Sequence, residues 1–393
     1  MTRAAEGSLQ HVTSAEEADL DLLISGPLFF DLVLTGLPHA PRRGTETWAA
    51  GMGTSPGGVA NLAVAAARLG LRTGLSTAFG DDAYADWLWE ILGAQEHVDL
   101  STSWRLRHWH TAVTVSMAYD GERTMVSHGH AAPTRPPQSP AGDDAPRWPV
   151  ARAVVGELGP NPAAIDAGTA AEPWWAESAR QGALVFVDGG WDPTDAWDPA
   201  ALEPLRDCYA FTPNAVEALS LTRAETPQEA VAVLAEHVPL AVVTCGADGA
   251  VAIDPATGEL VHEPALHVDA IDTTGAGDVF AAALVHGTLE GWDLRERLRL
   301  AALCSALAVQ HFGGALAAPG WGDIADWWTQ TVGRARTGDA DARTTADRYE
   351  FLTDALPHHE LRRVRRAEAT MARSSDAQAA TSPTSGAIPV LRG

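Results

Sequence analysis

The chain has 393 residues, of which 46% are hydrophobic, and a formal net charge of −24. This size and hydrophobic content allow one large domain or two medium ones with a substantial core. The negative charge argues against a general nucleic-acid or anionic-membrane surface. All 27 basic residues are arginine, which excludes chemistry that depends on a lysine, such as a P-loop lysine or a Schiff base.

The first part of the chain (residues 1–19) is a polar, acidic lead rather than a signal peptide, and no apolar run is long enough to span a bilayer. The three cysteines are far apart, as is typical of reduced thiols. We therefore expect a cytoplasmic protein that binds neither nucleic acid nor membrane.

The first predicted strand (residues 20–26) leads into Asp31. Asp31 then lies just beyond the carboxyl end of a strand, where α/β sheets bind ligands. Further on, Gly57 and Gly58 precede Asn61 at the start of a predicted helix. The glycines let the backbone approach a small polar ligand, and Asn61 offers both a donor and an acceptor. Taken alone, an ordinary helix cap explains these residues better.

Two alternating strands (residues 111–119 and 122–127) are joined by Asp120-Gly121, a strong hairpin signal. They interrupt the strand–helix rhythm and predict a lid or small β-subdomain. Histidines stand near both ends of this hairpin: His108, His110, His128 and His130. Because no carboxylate or cysteine completes a ligand set, we expect no metal site there.

From residue 151 onward the strand–helix rhythm resumes. Four predicted strands end in polar residues: Glu157, Asp188, Thr212–Glu217 and Thr244–Gly249. One edge of a parallel sheet that collects such groups is how α/β enzymes build an active site. Asn214 and Glu217 share a helix face and can hold a hydrated Mg²⁺ against phosphate oxygens. A helix cap with an acid at the positive end of the dipole is the more common reading of this pair.

The most informative stretch runs from Asp272 to Phe280. Residues 265–271 alternate and predict a strand, and the apolar run after Asp278 predicts a helix. Gly275 and Gly277 permit a tight turn between them that leaves backbone N–H groups facing an anion. An anion hole with a carboxylate beside it suits phosphoryl transfer. By itself the stretch is also explained as a tight connection, and it is neither a dinucleotide fingerprint nor a Walker loop.

The end of the chain changes character. Helices are predicted around residues 298–310 and 321–328. Residues 333–393 are polar and then rich in Ala, Ser, Thr and Pro, which predicts a largely disordered tail with one short helix near residues 361–372.

Taken in order, these motifs resemble those of the ribokinase-like (PfkB) carbohydrate kinase family. The motifs are Gly57-Gly58-x-x-Asn61, Thr212-Pro213-Asn214-x-x-Glu217, Thr244-x-Gly246-x-x-Gly249 and Asp272-Thr273-Thr274-Gly275-Ala276-Gly277-Asp278. The resemblance covers residues 20–332. It implies a three-layer αβα fold with a doubly wound, mainly parallel sheet and a small β-lid, which matches the excursions at residues 31–52 and 104–130. It also implies an ATP-dependent kinase for a hydroxyl of a small sugar. The lid can close on its own pocket or pair with the lid of a second subunit in a homodimer, and the sequence leaves both open.

The resemblance implies a role for each motif residue. Asp278 would be the general base, and the anion hole would be formed by Gly275, Ala276 and Gly277. The sugar hydroxyls would be held by Asp31, Gly57, Gly58, Asn61 and Glu157. The nucleotide would lie near Asn214, Glu217, Thr244, Gly246 and Gly249, with Mg²⁺ held through water by Asn214 and Glu217. Many members also bind a monovalent cation such as K⁺, and the matching positions are Asp272 and Thr274, with the carbonyls near Ala308, His311 and Gly313.

Two departures from the family pattern leave the substrate open. Val59 stands where many ribokinases have a lysine, and Asp188-Gly189-Gly190-Trp191-Asp192 replaces an Asp-x-Asn-x-x-Arg pattern. A nucleoside or vitamin-precursor kinase of the same fold, and a non-catalytic sugar- or nucleotide-binding regulator, are the alternatives. The presence of Asp278 favours an enzyme, because a binding protein needs no base.

Overall fold

A computed structural model describes residues 13–119, 122–130, 148–158, 173–190, 192, 195–357 and 360–367. Within these ranges the main sheet has eight strands in the order β14-β13-β12-β11-β10-β9-β1-β4. Its strands are β1 (Leu20–Ser25), β4 (Thr73–Ser76), β9 (Ala151–Glu157), β10 (Leu184–Asp188), β11 (Ala210–Thr212), β12 (Leu240–Thr244), β13 (Ala250–Ile253) and β14 (Leu260–Glu263). The sheet is parallel from β4 to β12 and antiparallel from β12 to β14.

Helices cover both faces of this sheet. They are α1 (Val59–Arg68), α2 (Ala83–Trp89), α3 (Ala176–Arg180), α4 (Ala215–Thr222), α5 (Pro227–Leu234), α6 (Ala276–Leu289), α7 (Leu294–Ala308), α8 (Gly314–Ala317), α9 (Trp321–Arg336), α10 (Ala340–Arg348) and α11 (Leu352–Ala355). Strand β1 shows why a helix layer forms on each face of the sheet. Leu22 and Ile24 pack into one hydrophobic cluster, and Leu23 packs into the other. Near-continuous apolar strands of this kind must be covered on both faces. The predicted three-layer α/β fold is confirmed.

A second sheet of four strands forms the predicted lid, in the order β3-β2-β7-β8. Its strands are β2 (Leu28–Thr35), β3 (Gly51–Gly58), β7 (Ala112–Tyr119) and β8 (Glu122–His128). The lid boundaries differ from the predicted excursions at 31–52 and 104–130. Trp104 and Arg105 form strand β6, which pairs with β5 (Ala78–Phe79) instead of joining the lid.

Two local predictions near the site are wrong. Asp31 lies inside strand β2, opposite Ser55, rather than beyond the end of β1. Residues 265–271 form no strand, and Ile271 is 51% exposed. Their alternating pattern does not reflect burial, because residues 267–271 are all exposed. The end of the segment is held where Ile271 donates its N–H to the carbonyl of Val309.

The predicted disordered tail also needs correction. Helix α9 continues to Arg336, and helices α10 and α11 follow it. Tyr349 and Leu352 are fully buried in the main core, and the ring of Tyr349 packs edge-on against Trp327. Residues 333–357 are therefore part of the folded domain, because their few apolar side chains close the core over α9. Residues 361–363 form a short 3₁₀ turn, and residues 368–393 lie outside the described part of the chain.

Among the described residues, no helix is both long enough and apolar enough to cross a membrane.

Candidate active site

The carboxyl ends of the central strands bring the predicted polar groups together. Glu157 at the end of β9 is in register with Asp188 at the end of β10, and Asp188 is in register with Thr212 at the end of β11. Asp188 accepts the N–H of Gly189 at 2.8 Å, and the hydroxyl of Thr212 lies 3.4 Å from the same carboxylate oxygen. This edge of the sheet forms the floor of the site.

The Asp272–Asp278 motif forms the turn and helix start expected of it. Gly275 has φ of +73°, a left-handed conformation that favours glycine, and helix α6 begins at Ala276. Gly277 and Asp278 occupy the first turn, whose N–H groups have no acceptor within the helix. Ala276 donates its N–H to the carbonyl of Thr273 at 3.3 Å, so this amide is partly engaged in the turn. The positive end of α6 therefore points toward the site with an acid in its first turn.

Asn61 contacts this motif directly, although it lies in the first turn of α1, far away in the sequence. Its amide Nδ2 donates to Oδ2 of Asp278 at 3.1 Å. Asn61 Oδ1 is buried with no hydrogen-bond partner in the described part of the chain, and a Cβ added at Gly314 would lie 2.8 Å from it. Gly275 also faces Asn61, since a Cβ there would lie 3.1 Å from the Asn61 amide carbon. Glycines on two sides leave room for Asn61 to reach Asp278.

The helix that carries Asn61 is fixed by a buried arginine. Arg68, 2% exposed, pairs with Glu96 at 2.6 Å and donates to the carbonyls of Leu316 at 2.9 Å and Ala318 at 2.5 Å. These bonds join α1 to the chain around α8. A rigid α1 holds the Asn61–Asp278 contact in place.

Four carboxyl groups interact at the centre of the site: those of Glu157, Asp188, Glu217 and Asp278. Burial raises the pKa of Asp278 to about 7; the hydrogen bond from Asn61 opposes this rise and the negative charge of Glu157 adds to it. Burial, with the charges of Asp278, Glu217 and Glu157, holds the pKa of Asp188 well above its usual range. Within the described ranges none of the four forms an ion pair with an arginine. The cluster is therefore short of positive charge, which a divalent cation would supply.

Asp31 enters the site from the lid. A Cβ added at Gly57 would lie only 2.0 Å from Oδ2 of Asp31, so the carboxylate rests against the bare backbone of the neighbouring lid strand. Gly58, with φ of +61°, follows at the end of that strand, where an added Cβ would meet the carbonyl of Pro27. Glycine is required at both positions, to seat Asp31 and to turn the chain into α1.

The Asn214–Glu217 pair forms the helix cap that its spacing also allows. Asn214 donates its N–H to Glu217 Oε2 at 3.0 Å, and Glu217 donates its N–H to Asn214 Oδ1 at 3.0 Å. The Glu217 carboxylate lies over Gly189, where an added Cβ would be 2.0 Å away. Burial raises the pKa of Glu217. The cap thus holds a carboxylate at the edge of the acidic cluster.

A cleft of about 430 Å³ opens beside this cap. It is lined by Asn214, Ala215, Val216, Glu217, Thr244, Cys245 and Gly246. Gly249 lies behind it with φ of +93°, where an added Cβ would lie 2.1 Å from the carbonyl of Glu263. The predicted nucleotide residues therefore form one cleft wall, with Gly249 shaping the turn rather than lining the cavity.

Asp272 holds the motif turn in place. Its Oδ1 accepts the N–H of Thr274 at 2.9 Å and the Thr274 hydroxyl at 2.6 Å, and its Oδ2 accepts the N–H of Gly313 at 3.2 Å. The hydroxyl of Ser55, in lid strand β3, donates to the carbonyl of Gly313. The turn, the loop before α8 and the lid are thus joined by hydrogen bonds.

Asp188 is among the polar strand ends predicted from the sequence, but the sequence motifs assign it no role in the site. Its position at the end of a predicted strand next to the one ending in Glu157 was the available signal. The charges of Glu157, Glu217 and Asp278 all raise the pKa of Asp188. Of the other predicted residues, Asn61 and Glu157 interact with Asp278, and Asp31 rests on Gly57 in the lid. The nucleotide cleft is lined by Asn214, Glu217, Thr244 and Gly246.

Comparison with known proteins places this geometry in a family. Residues 39–320 match the family model described as pfkB family carbohydrate kinase. A fructokinase of Klebsiella pneumoniae is 32% identical over 287 residues, which is 67% of this chain and 89% of that protein. A ribokinase of Schizosaccharomyces pombe is 35% identical over 130 residues, 31% of this chain; the similarity spans 41% of that relative's length. The first curated relatives are thus matched over less than half of their length.

A solved structure gives the same fold. The ribokinase of Arabidopsis thaliana, complexed with ribose and ATP, superimposes with a TM-score of 0.60 at 24% identity, covering 77% of this chain and 96% of that one.

Proposed function

The chain belongs to the pfkB family of carbohydrate kinases, which are phosphotransferases that use an alcohol group as acceptor, and from that membership we propose that it transfers the terminal phosphoryl group of ATP to a hydroxyl of a small sugar. The observation that carries this proposal is the position of Asp278. Its carboxyl lies in the first turn of α6, at the amino end of the helix, and accepts a hydrogen bond from Asn61.

Asp278 is proposed as the general base. A base works best when its pKa lies near the working pH, and the pKa of Asp278 is raised to about 7. Asn61 donates to one carboxylate oxygen and leaves the other for a substrate hydroxyl. As the hydroxyl attacks, the proton would pass to Asp278, and the negative charge on the phosphoryl oxygens would be met by the N–H groups of Gly277 and its neighbours.

The sugar is proposed to lie between the lid and Asp278. Asp31 from the lid and Asn61 from α1 offer an acceptor carboxylate and an amide, and the bare backbone at Gly57 and Gly58 lets a ring approach closely. Glu157, whose charge acts on Asp278, is proposed as a further sugar contact. Paired acids and amides are suited to hydroxyl groups, because each hydroxyl both donates and accepts a hydrogen bond.

ATP is proposed to occupy the cleft beside Thr244 and Gly246, with its phosphates directed toward the amino end of α6. The acidic cluster fits a divalent ion, because the pKa values of Asp188 and Glu217 are raised and neither acid has an arginine partner in the described ranges. Glu217 and Asn214, with Asp188, are the residues that would hold Mg²⁺, through its waters. When bound, Mg²⁺ would neutralise phosphate charge.

The groups at the expected monovalent-cation site already accept hydrogen bonds within the protein. Asp272 already accepts three hydrogen bonds. The carbonyl of Ala308 accepts the N–H of His311 at 3.0 Å, and that of Gly313 accepts the N–H of Leu316 at 2.8 Å. We therefore assign no step of the reaction to K⁺.

A homodimer formed through the lid is also proposed. Met125 and Val126 on β8, the outer strand of the lid, are 52% and 58% exposed, and an exposed apolar edge strand is suited to pairing with another chain. Analytical ultracentrifugation tests the dimer.

A substrate screen tests the proposed reaction. The purified protein would be incubated with ATP, Mg²⁺ and each of a panel of pentoses, hexoses, keto-acid sugars, nucleosides and vitamin precursors, and ADP release would be measured. Release that depends on a sugar supports the proposal, and release only with a nucleoside or a vitamin precursor identifies a different acceptor class. If no compound promotes release while ligands still raise the melting temperature, the protein is a binding regulator and the proposal is wrong.

A further inference from the structure

Three histidines meet at the root of the lid, apart from the residues assigned to the reaction. His110 precedes β7, His128 ends β8 and His130 follows it. One ring nitrogen from each lies within 4.8 Å of the others. The rings of His110 and His128 stack with their centroids 4.9 Å apart, and the ring of His130 stands edge-on to both at 5.0 and 5.6 Å. The sequence led us to expect no metal site at these histidines, but the pairing of β7 with β8 brings three of them together.

One side of the cluster is firmly anchored. Asp82, just before α2, accepts the N–H of Thr111 at 2.6 Å and its hydroxyl at 2.8 Å. Asp81 accepts the N–H of His108 at 2.8 Å. The segment that carries His110 is therefore fixed to the main domain.

The other side is an edge. Among the residues that the structure describes, strand β8 is the outermost strand of the lid and pairs with β7 alone, with His128 opposite Val113 in the register. His128 and His130 are exposed. Their side chains can rotate without disturbing a packed core.

The ring of His110 is oriented as a ligand would be. Its Nδ1 lies 3.2 Å from the carbonyl oxygen of Thr111. A proton on Nδ1 that bonds to this carbonyl leaves the lone pair on Nε2, the arrangement usual in metal-bound histidines.

We propose that His110, His128 and His130 bind one divalent transition-metal ion, which clips the end of the outer lid strand to the anchored segment. Neutral imidazole suits Zn²⁺, Co²⁺, Ni²⁺ and Cu²⁺, whereas Mg²⁺ and Ca²⁺ prefer oxygen ligands. Metal–nitrogen bonds of about 2.0–2.1 Å in a tetrahedral site need nitrogens about 3.3 Å apart. The ligand atoms must therefore close by about 1.5 Å or less, which rotation of exposed side chains supplies. Three imidazoles leave a position for water.

The test is a zinc titration of the full chain, prepared without a polyhistidine tag and stripped with a chelator. Isothermal titration at pH 7.5 is expected to show saturation at one Zn²⁺ per chain, unaffected by millimolar Mg²⁺. Binding at this site does not depend on the reaction at Asp278, so failure here leaves the kinase proposal untouched.

Variants make the assignment specific. The double variant His128→Gln/His130→Gln is expected to lose at least about tenfold in Zn²⁺ affinity, because two of three ligands are gone. His108→Gln is the matched control, since His108 lies two residues from His110 but outside the cluster; it should bind as the unmodified chain does. Without metal all forms should melt alike, and Zn²⁺ should raise the melting temperature of the control but not of the double variant. No saturable binding, equal affinity in the double variant, or loss of binding in the control would overturn the proposal.

A separate measurement tests whether the bound ion holds the outer lid strand in place. Hydrogen exchange of residues 122–130 is expected to slow when Zn²⁺ is added, with no change in the double variant. Unchanged exchange despite stoichiometric binding would show that the ion does not hold the strand.

Discussion

The pH dependence of turnover follows from the environment of Asp278. A base must be deprotonated to act, and the pKa of Asp278 is raised to about 7. At pH 6 about one tenth of the molecules then carry a charged Asp278, so kcat/KM should be about one tenth of its alkaline plateau. An aspartate of ordinary pKa would give a flat profile over the same range. The assay is ADP release under limiting sugar between pH 5.5 and 9.

Two substitutions move this profile in opposite directions. Glu157→Gln removes a negative charge that raises the pKa of Asp278, so the midpoint should move to lower pH. Asn61→Ala removes the hydrogen bond that favours charged Asp278, so the midpoint should move to higher pH. Both variants change substrate contacts as well, but a change in affinity scales the profile without moving its midpoint.

The control for this experiment is Glu290→Gln. Glu290 is an exposed acid at the far end of the helix that carries Asp278, and its loss should leave the midpoint unchanged. Samples returned from pH 5.5 to pH 8 must regain full turnover, which excludes acid unfolding. A flat wild-type profile down to pH 5.5, or a midpoint that rises in Glu157→Gln, would refute the reasoning.

Three further outcomes follow from the structure. Gly57→Ala places a methyl group 2.0 Å from the Asp31 carboxylate, which must move by about 1 Å, and kcat/KM should fall roughly 10²-fold. Gly333→Ala, at an exposed position of α9 with open space around it, should keep full activity. Equal kinetics of the two variants would contradict the seating of Asp31. Glu217→Gln should raise the Mg²⁺ concentration needed for half-maximal turnover roughly tenfold. The control Glu229→Gln, in a similar capping box, should affect only stability. An unchanged Mg²⁺ requirement in Glu217→Gln would remove Glu217 from the metal site. Replacing K⁺ by tetramethylammonium at constant ionic strength should leave turnover unchanged, and a loss would show that the donors around Asp272 open when substrates bind.

Much of the site was predictable from sequence because its parts are local. The Gly275–Asp278 turn and the Asn214–Glu217 cap are each set by neighbouring residues, and the order of the strands brings their ends to one edge of the sheet. Asp188 was predicted only as a polar residue at a strand end. A role in the site could not be assigned from sequence, because it depends on the charges of three acids from other parts of the fold.

The errors share a different cause. The alternating residues 265–271 look like a strand, yet they find no strand partner, and Ile271 is exposed. Conversely, residues 340–348 look like a solvated segment, yet Tyr349, just after them, is buried in the core. A local sequence pattern indicates which residues are apolar enough to be buried, but tertiary packing decides which residues are buried. The three-histidine cluster is the same case, since only strand pairing brings His110 to His128.

The most direct test of the central claim is the variant Asp278→Asn, which keeps the shape of the side chain and removes the base. Turnover with the preferred sugar should fall by roughly 10²–10⁴-fold, as is typical when a general base is lost, while ATP binding measured by calorimetry stays within about twofold of the unmodified chain. Near-normal ADP release by this variant would contradict the assignment of Asp278 as the base.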